Sequence, residues 1–193
     1  MSTVQLDYTR IERDLLGAKE VPAACYYGIH TLRALENFQI SNQKVGTHPH
    51  FIRALAQVKK ASAQTNLKFT KISEQVSQAI QFACNELIEF PEKWSTAFPL
   101  DVYQGGAGTS INMNSNEVLA NIALEHLGFQ KGQYEHIHPN DHVNKSQSTN
   151  DVYPTALRLA TYYSLDDLLI QIQKLIDTLH IKVAEFQFVL KMG

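Results

Sequence analysis

Apolar residues recur along most of this chain at steps of three and four, the period of an α-helix; no stretch alternates for long as a strand would. Residues up to about Ile40 read as extended and turn-rich, punctuated by Gly17 and Val21-Pro22. Pro49 then stands at a first helical position, and Ile52, Leu55, Val58 and Ala61 or Ser62 continue one face. Ser73 is placed to cap a second helix, with Val76, Ala79 or Ile80, Ala83 and Leu87 at helical spacing until Pro91 stops it. A third is expected from about Ser115 to Leu127, with Val118, Ile122 and Leu127 inward and Gly128 as its C-terminal stop.

The last segment is different in scale. From Thr155 to about Leu190 apolar residues follow one another without an intervening Gly or Pro. That predicts one helix of about 35 residues, roughly 50 Å long at 1.5 Å per residue. Globular helices average about a third of that length. Its apolar stripe, which includes Leu168, Ile172 and Leu175, is wide, and no other predicted helix is long enough to cover it. Helices of this kind are stabilised by a surrounding bundle or coiled coil. The expected class is therefore mainly α: an N-terminal helical domain over 1–150, then the first long helix of a helical-bundle domain over 151–193.

Polar residues are concentrated in three segments between these helices. Ser146-Gln147-Ser148-Thr149-Asn150-Asp151 runs directly into the last helix through Val152-Tyr153-Pro154. Short polar side chains ahead of a helix bond its unpaired first-turn N–H groups, and the helix dipole adds positive potential. Six hydrogen-bonding side chains in succession exceed what capping needs, so the segment reads as a loop for a carboxylate or phosphate. A second loop, Asp101 to Ser110, contains Gly105-Gly106-Ala107-Gly108-Thr109-Ser110, and Asn112, Asn114, Ser115 and Asn116 follow it. It lacks the Lys of a phosphate loop and the spacing of a dinucleotide fingerprint, which argues against a nucleotide cradle. A tight turn into a helix remains open for this loop taken alone.

Between them, His136 to Lys145 brings three histidines and Asp141 together. Imidazole and carboxylate are zinc-type ligands, but the spacing matches no zinc pattern and Pro139 breaks the segment. A polar loop making turn and cap bonds, a surface anion contact and a metal site all stay open there.

Composition adds limits. The chain has 193 residues and a formal net charge of −2, with no Lys/Arg run, so bulk attraction to nucleic acid is not expected. Cys25 and Cys84 have no metal or framework spacing, as expected of thiols in a reducing compartment. Met1 to Tyr8 lacks the basic and apolar regions of a signal peptide, and no apolar run reaches the roughly 20 residues that span a bilayer. A cytoplasmic chain follows as the expectation.

Four stretches together resemble a known family. They are Arg10-Ile-Glu-Arg-Asp-Leu-Leu-Gly17 with Glu20-Val-Pro22; Tyr26-Tyr-Gly-Ile-His-Thr-Leu-Arg33 with Glu36-Asn-Phe38; Gly105 to Glu117; and His138 to Thr155. The chain resembles the N-terminal part of the aspartase/fumarase superfamily, from about Arg10 to Gly193, on its aspartase branch. Class II fumarases typically carry Gly-Ser-Gly-Thr-Gln where this chain has Gly106 to Ser110, and Ala-Gln-Thr-Gln-Arg where it has Ile29 to Arg33.

The resemblance implies elimination of ammonia from L-aspartate to give fumarate, through an aci-carboxylate dianion that needs preorganised donors. It implies that Thr109, Ser148 and Thr149 hold the substrate β-carboxylate and that Asn150 contacts the remainder of the substrate. It implies a base serine on a loop beyond Gly193, so no catalytic acid or base is assigned among these residues, and the chain alone is expected to be inactive. No organic cofactor is implied, and activation of the whole enzyme by a divalent cation such as Mg is left open. Assembly as a homotetramer is implied, with no membrane partner. A class II fumarase-type lyase, or a non-catalytic assembly or regulatory module, are the alternatives.

Overall fold

The computed structural model describes residues 8–192. The readings made on the first seven residues and on Gly193 lie outside the described residues. Two strands, β1 (Thr9–Asp14) and β2 (Gly17–Pro22), form an antiparallel hairpin with Thr9 opposite Pro22. Helices α1 (Ile29–Asn37), α2 (Pro49–Lys68), α3 (Glu74–Glu89), α4 (Thr109–His126) and α5 (Thr149–Phe186) follow. Short 3₁₀ turns at Val45–Thr47 and Pro91–Ala97 and a π turn at Pro139–Val143 connect them. The chain is mainly α, as the periodicity predicts.

The hairpin lies in the stretch expected to be extended and turn-rich, although no strand was expected there. Its alternation is inverted: Glu12 is buried while its neighbour Ile11 is exposed, so no apolar face marks the strand in the sequence. Charged groups hold the hairpin in place. Arg10 Nε donates to Glu12 Oε1 at 2.8 Å, and its Nη atoms donate to the carbonyls of Pro22, Ala23, Cys25 and Tyr27. Arg33 grips Asp14 with two donors at 2.7 and 2.8 Å, the planar fork that guanidinium provides. The Asp14 carboxyl lies below its ordinary range because of that hydrogen bonding. Helix α1 falls in the same stretch and was likewise not expected.

Helices α2, α3 and α4 enclose the core, in which Ile52, Leu55, Ile80, Leu87, Leu119 and Leu124 are fully buried. Ser73 caps α3 by accepting from Val76 N–H, and Pro49 opens α2. Gly128, at φ +84°, takes the left-handed conformation that ends α4 and favours glycine. Helix α4 begins six residues before the expected Ser115. Its first turns are rich in Thr, Ser and Asn residues of low helix propensity, and tertiary bonds from the Nδ2 groups of Asn112 and Asn114 hold the helix there. It is buried almost all round: Asn112, Asn114, Ser115, Asn116, Glu117 and Asn121 are all nearly inaccessible.

Helix α5 begins at Thr149 rather than Thr155, and takes Pro154 into its second turn. The N–H missing at Pro154 would have bonded the carbonyl four residues back, at the frayed start, where the loss is cheapest. At 38 residues it is about 57 Å long. Its first turns pack on α2 and bury Val152, Ala156 and Ala160. Tyr163 donates from its hydroxyl to Gln57 Oε1 at 2.9 Å, and His50 pairs with Asp167 at 2.7 Å. Beyond Asp167 the helix leaves the core, with Leu168, Leu169, Ile172, Leu175, Leu179 and Phe186 all exposed. No described helix is long and apolar enough to cross a membrane.

Candidate functional site

The two polar loops end in the first turns of α4 and α5, and these turns meet. Gly108 holds φ +81°, and a Cβ on it would lie 2.1 Å from the ring of Tyr153 on α5. Glycine is required there twice over, by conformation and by contact. One turn further along α4, Asn112 Nδ2 donates to Thr149 Oγ1 at 3.0 Å. Two helix N-termini are thereby held side by side, and each presents N–H groups and the positive end of a dipole.

The four candidate residues occupy different places in this arrangement. Thr109 is the first residue of α4 and is exposed. Gly108, its N-cap, supplies no side-chain acceptor, so the N–H groups of Thr109 and Ser110 meet no capping side chain. Gln104 Oε1 takes the N–H of Ile111 at 3.2 Å. Ser148 is the N-cap of α5 and accepts from Asn150 N–H at 3.1 Å, which leaves its own proton free. Thr149 accepts from Asn112, so its hydroxyl proton is free as well. Asn150 is exposed, with no side-chain hydrogen bond among the described residues. Ser146 is held at φ +59°, an uncommon conformation outside glycine. The structure thus joins the Thr149 turn to the turn that carries Thr109, and leaves the free donors of both on an open face. Neither the apolar groove lined by His48, Phe51, Tyr153 and Leu157 nor the cleft lined by Asn66, Ser146, Gln147 and Thr155 takes in Thr109, Thr149 or Asn150.

The histidine segment supplies turn bonds. His138 Nδ1 accepts from the N–H groups of Asn140 and Asp141, and His142 Nδ1 accepts from His138 N–H. His136 stacks on Phe129 with ring centres 3.8 Å apart. Burial holds the His142 imidazole below its ordinary pKa. Among the described residues, no three His, Cys, Asp or Glu side chains are grouped to hold a metal ion.

Three groups behind the face escaped the sequence reading. Glu117 is buried on α4, and its carboxylate accepts from the N–H groups of Gly28, His30 and Thr31 at 2.8–3.1 Å and from Thr31 Oγ1 at 2.6 Å. That is a cap on α1 supplied from another helix. Glu12 adds a second acceptor at Ile29 N–H, and burial raises its carboxyl above the ordinary value against the pull of Arg10. Lys59 on α2 is fully buried and donates to Asn144 Oδ1 at 2.8 Å. A Glu or Lys at a helical position ordinarily reads as solvated, so periodicity alone gave no sign of either.

Known proteins resemble this chain over almost its whole length. The model of the Lyase family matches residues 17–193. The aspartate ammonia-lyase of Escherichia coli K12 is 56% identical over 184 residues, 95% of this chain and 38% of that protein. The aspartate ammonia-lyase of Corynebacterium glutamicum is 50% identical over 192 residues, 36% of its length. A crystal structure described as fumarate lyase:delta crystallin from Brucella melitensis superposes with a TM-score of 0.93 at 49% identity, covering 96% of this chain and 43% of that one. Class II fumarase from Schistosoma mansoni gives 0.84 at 38% identity, over 39% of its chain. This chain therefore spans about two-fifths of the length of such relatives. With the family model matching from Gly17 onward and relatives of this identity, the chain belongs to the Lyase family, within the aspartase/fumarase superfamily.

Proposed function

We propose that this chain supplies the carboxylate-binding part of an aspartate ammonia-lyase, which converts L-aspartate to fumarate and ammonia. The observation that carries the reading is the junction of the two helix N-termini through Asn112 Nδ2 and Thr149 Oγ1. Removing the weakly acidic Cβ proton loads negative charge onto the β-carboxylate. Donors fixed in advance around its oxygens lower that barrier without reorganising. Thr109, Ser148 and Thr149 provide the hydroxyl donors, and Asn150 reaches the remainder of the substrate. The first-turn N–H groups of α4 and α5 that no side chain or carbonyl already takes, together with the two helix dipoles, add to this.

The face is exposed, so the base and the remaining substrate contacts belong to other segments of the enzyme or to partner subunits. The uncovered run of α5 supports assembly, since a wide apolar stripe on a water-facing helix is an interface. A homotetramer in which α5 joins a central bundle fits it, with residues 1–150 as one domain and 151–193 entering the next. A divalent cation such as Mg acts in this reading only as an activator of the whole enzyme, and the cytoplasm is its compartment. The identities favour the aspartase reaction over that of a class II fumarase.

Succinate, a dicarboxylate without the amine, tests the reading on the ¹⁵N-labelled chain. Backbone amide shifts over 109–111 and 148–151 should follow one saturating curve. Thr149→Ala should weaken it roughly ten- to a hundredfold, the scale of one hydrogen bond to a charged group. Saturable binding that leaves both turns unmoved, or none at all, refutes it.

A further inference from the structure

A polar chain runs from the core to the candidate site, and its donors and acceptors can be arranged in only one favourable sense. Lys59 Nζ donates to Asn144 Oδ1 at 2.8 Å. Asn112 Nδ2 donates to the same oxygen at 3.2 Å and, with its other hydrogen, to Thr149 Oγ1 at 3.0 Å. Asn144 Nδ2 donates to Gln147 O at 3.3 Å. A carboxamide is normally free to flip its oxygen and nitrogen. Here Asn144 is pinned from both sides, because an ammonium only donates and a carbonyl only accepts. With the Asn144 oxygen facing inward, Asn112 must present its NH₂ to it. The second hydrogen of that planar group then falls on Thr149, and Asn112 Oδ1 is left buried without a partner.

We propose that Lys59, Asn144 and Asn112 are positioning residues that set the polarity of the Thr149 hydroxyl, holding its oxygen as an inward acceptor and turning its proton outward to a bound carboxylate. The proposal rests on the reading that Thr149 faces that carboxylate. Removing the ammonium permits the opposite sense. Asn144 then gives up its bond to Gln147 O and turns its NH₂ toward Asn112, whose oxygen, unpartnered in the parent, turns to accept from both Asn144 and Thr149. The Thr149 proton is drawn inward and lost to the ligand. Lys59 also changes state near neutrality, since burial pushes its ammonium down to about 7. The facing titratable group on α3, Cys84, is buried and pushed up to about 12, so it stays neutral. His142, two residues from Asn144, lies below its ordinary value and titrates at lower pH, where its own ring signals identify it.

The test uses the ¹⁵N,¹³C-labelled 193-residue chain. In a pH series, the side-chain NH₂ signals of Asn112 and Asn144 should shift with the midpoint of the Lys59 Cε signal, near 7 and distinct from that of His142. Lys59→Met should abolish this shared step and weaken succinate roughly ten- to a hundredfold at pH 6, the scale of one lost hydrogen bond to a charged group. Carboxamide signals that ignore the Lys59 midpoint overturn the relay whatever succinate does, and the parent chain gives this result even if Lys59→Met does not fold. A shared titration with Thr149 unmoved by succinate overturns the carboxylate reading, and with it the assigned purpose of the chain of bonds. Equal succinate affinity in folded Lys59→Met and parent overturns the positioning role.

Discussion

Replacing Glu117 by Gln alters one atom of a buried side chain and puts the capping of α1 from α4 under test. Oε2 accepts from Gly28 N–H, Thr31 N–H and Thr31 Oγ1, and Oε1 accepts from His30 N–H, with His30 Nδ1 at 3.1 Å. A glutamine can occupy this space in two ways. Its NH₂ is least harmful at the Oε1 position, where the neutral imidazole can accept one hydrogen but His30 N–H is opposed by the other. One buried donor left unpaired costs about 1–3 kcal/mol, and the remaining bonds weaken when their acceptor loses its charge. Loss of the anion at the helix start adds roughly 0.3–1 kcal/mol. Relief from burying a charge works the other way, which brings the expected net loss to about 3 kcal/mol. For a chain of this size that lowers the melting temperature by roughly 6–12 °C.

The same pair gives this substitution a pH signature. Its hydrogen bond to Glu117 holds the His30 imidazole above its ordinary pKa, against the opposing effect of burial. Protonated His30 contributes stability in full below its unfolded pKa of about 6.5. That contribution is lost as pH rises through the elevated folded value. Urea midpoints of the parent should therefore fall across neutral pH on this account, and the slope should flatten in Glu117→Gln. Circular dichroism at 222 nm reads both quantities. A variant within about 1 kcal/mol of the parent, a surface-like effect, with an unchanged slope, refutes the capping argument.

Three further outcomes follow from the same geometry. Gly108→Ala must leave the left-handed conformation and displace the Tyr153 ring, so it should cost roughly 2–4 kcal/mol and abolish the succinate response; unchanged stability and binding would show that the turns are not locked together there. Changing Leu168, Ile172 and Leu175 to charged residues should convert a self-associating chain to a monodisperse one in sedimentation across a concentration series, and a parent chain that is monomeric at high concentration contradicts the interface reading. The 193-residue polypeptide alone should release no fumarate from L-aspartate above a buffer blank by ultraviolet absorbance; turnover by protein shown free of host enzyme overturns the division of the site proposed above.

The helices were legible where burial follows sequence periodicity. Helices α2 and α3 carry a regular apolar face, Ser73 and Pro49 mark their starts, and Pro91 and Gly128 lie where helices stop. The same logic failed wherever polar groups face inward. Strand β1 buries Glu12 and exposes Ile11, the reverse of the pattern that betrays a half-buried strand. The start of α4 reads as a loop because Thr109 to Asn116 are poor helix formers. Their helical conformation depends on bonds made to other elements, such as Asn114 Nδ2 to Ala97 O at 3.0 Å. Such bonds leave no trace in local spacing.

This failure has a physical reason that bears on the site. A donor array for a carboxylate gains from being fixed before the charge develops, and loop residues cannot fix themselves. Their rigidity must come from a second layer of groups that are buried, polar and mutually bonded. The segment holding Ser148, Thr149 and Asn150 was visible because short polar residues in succession are themselves a signal, whereas Thr109 and the individual roles came from the family resemblance. Asn112, Asn144, Glu117 and Lys59 were not recognised as a support, because their partners lie on other helices and turns. A buried polar network is costly unless it is nearly satisfied. In this one Asn144 has all its hydrogen-bonding positions filled except one amide hydrogen, whereas Asn112, with its Nδ2 donating to Thr149, leaves its Oδ1 buried without a partner. The orientation of Asn112 that leaves its oxygen unpaired is thus the one that keeps the Thr149 proton available to a ligand.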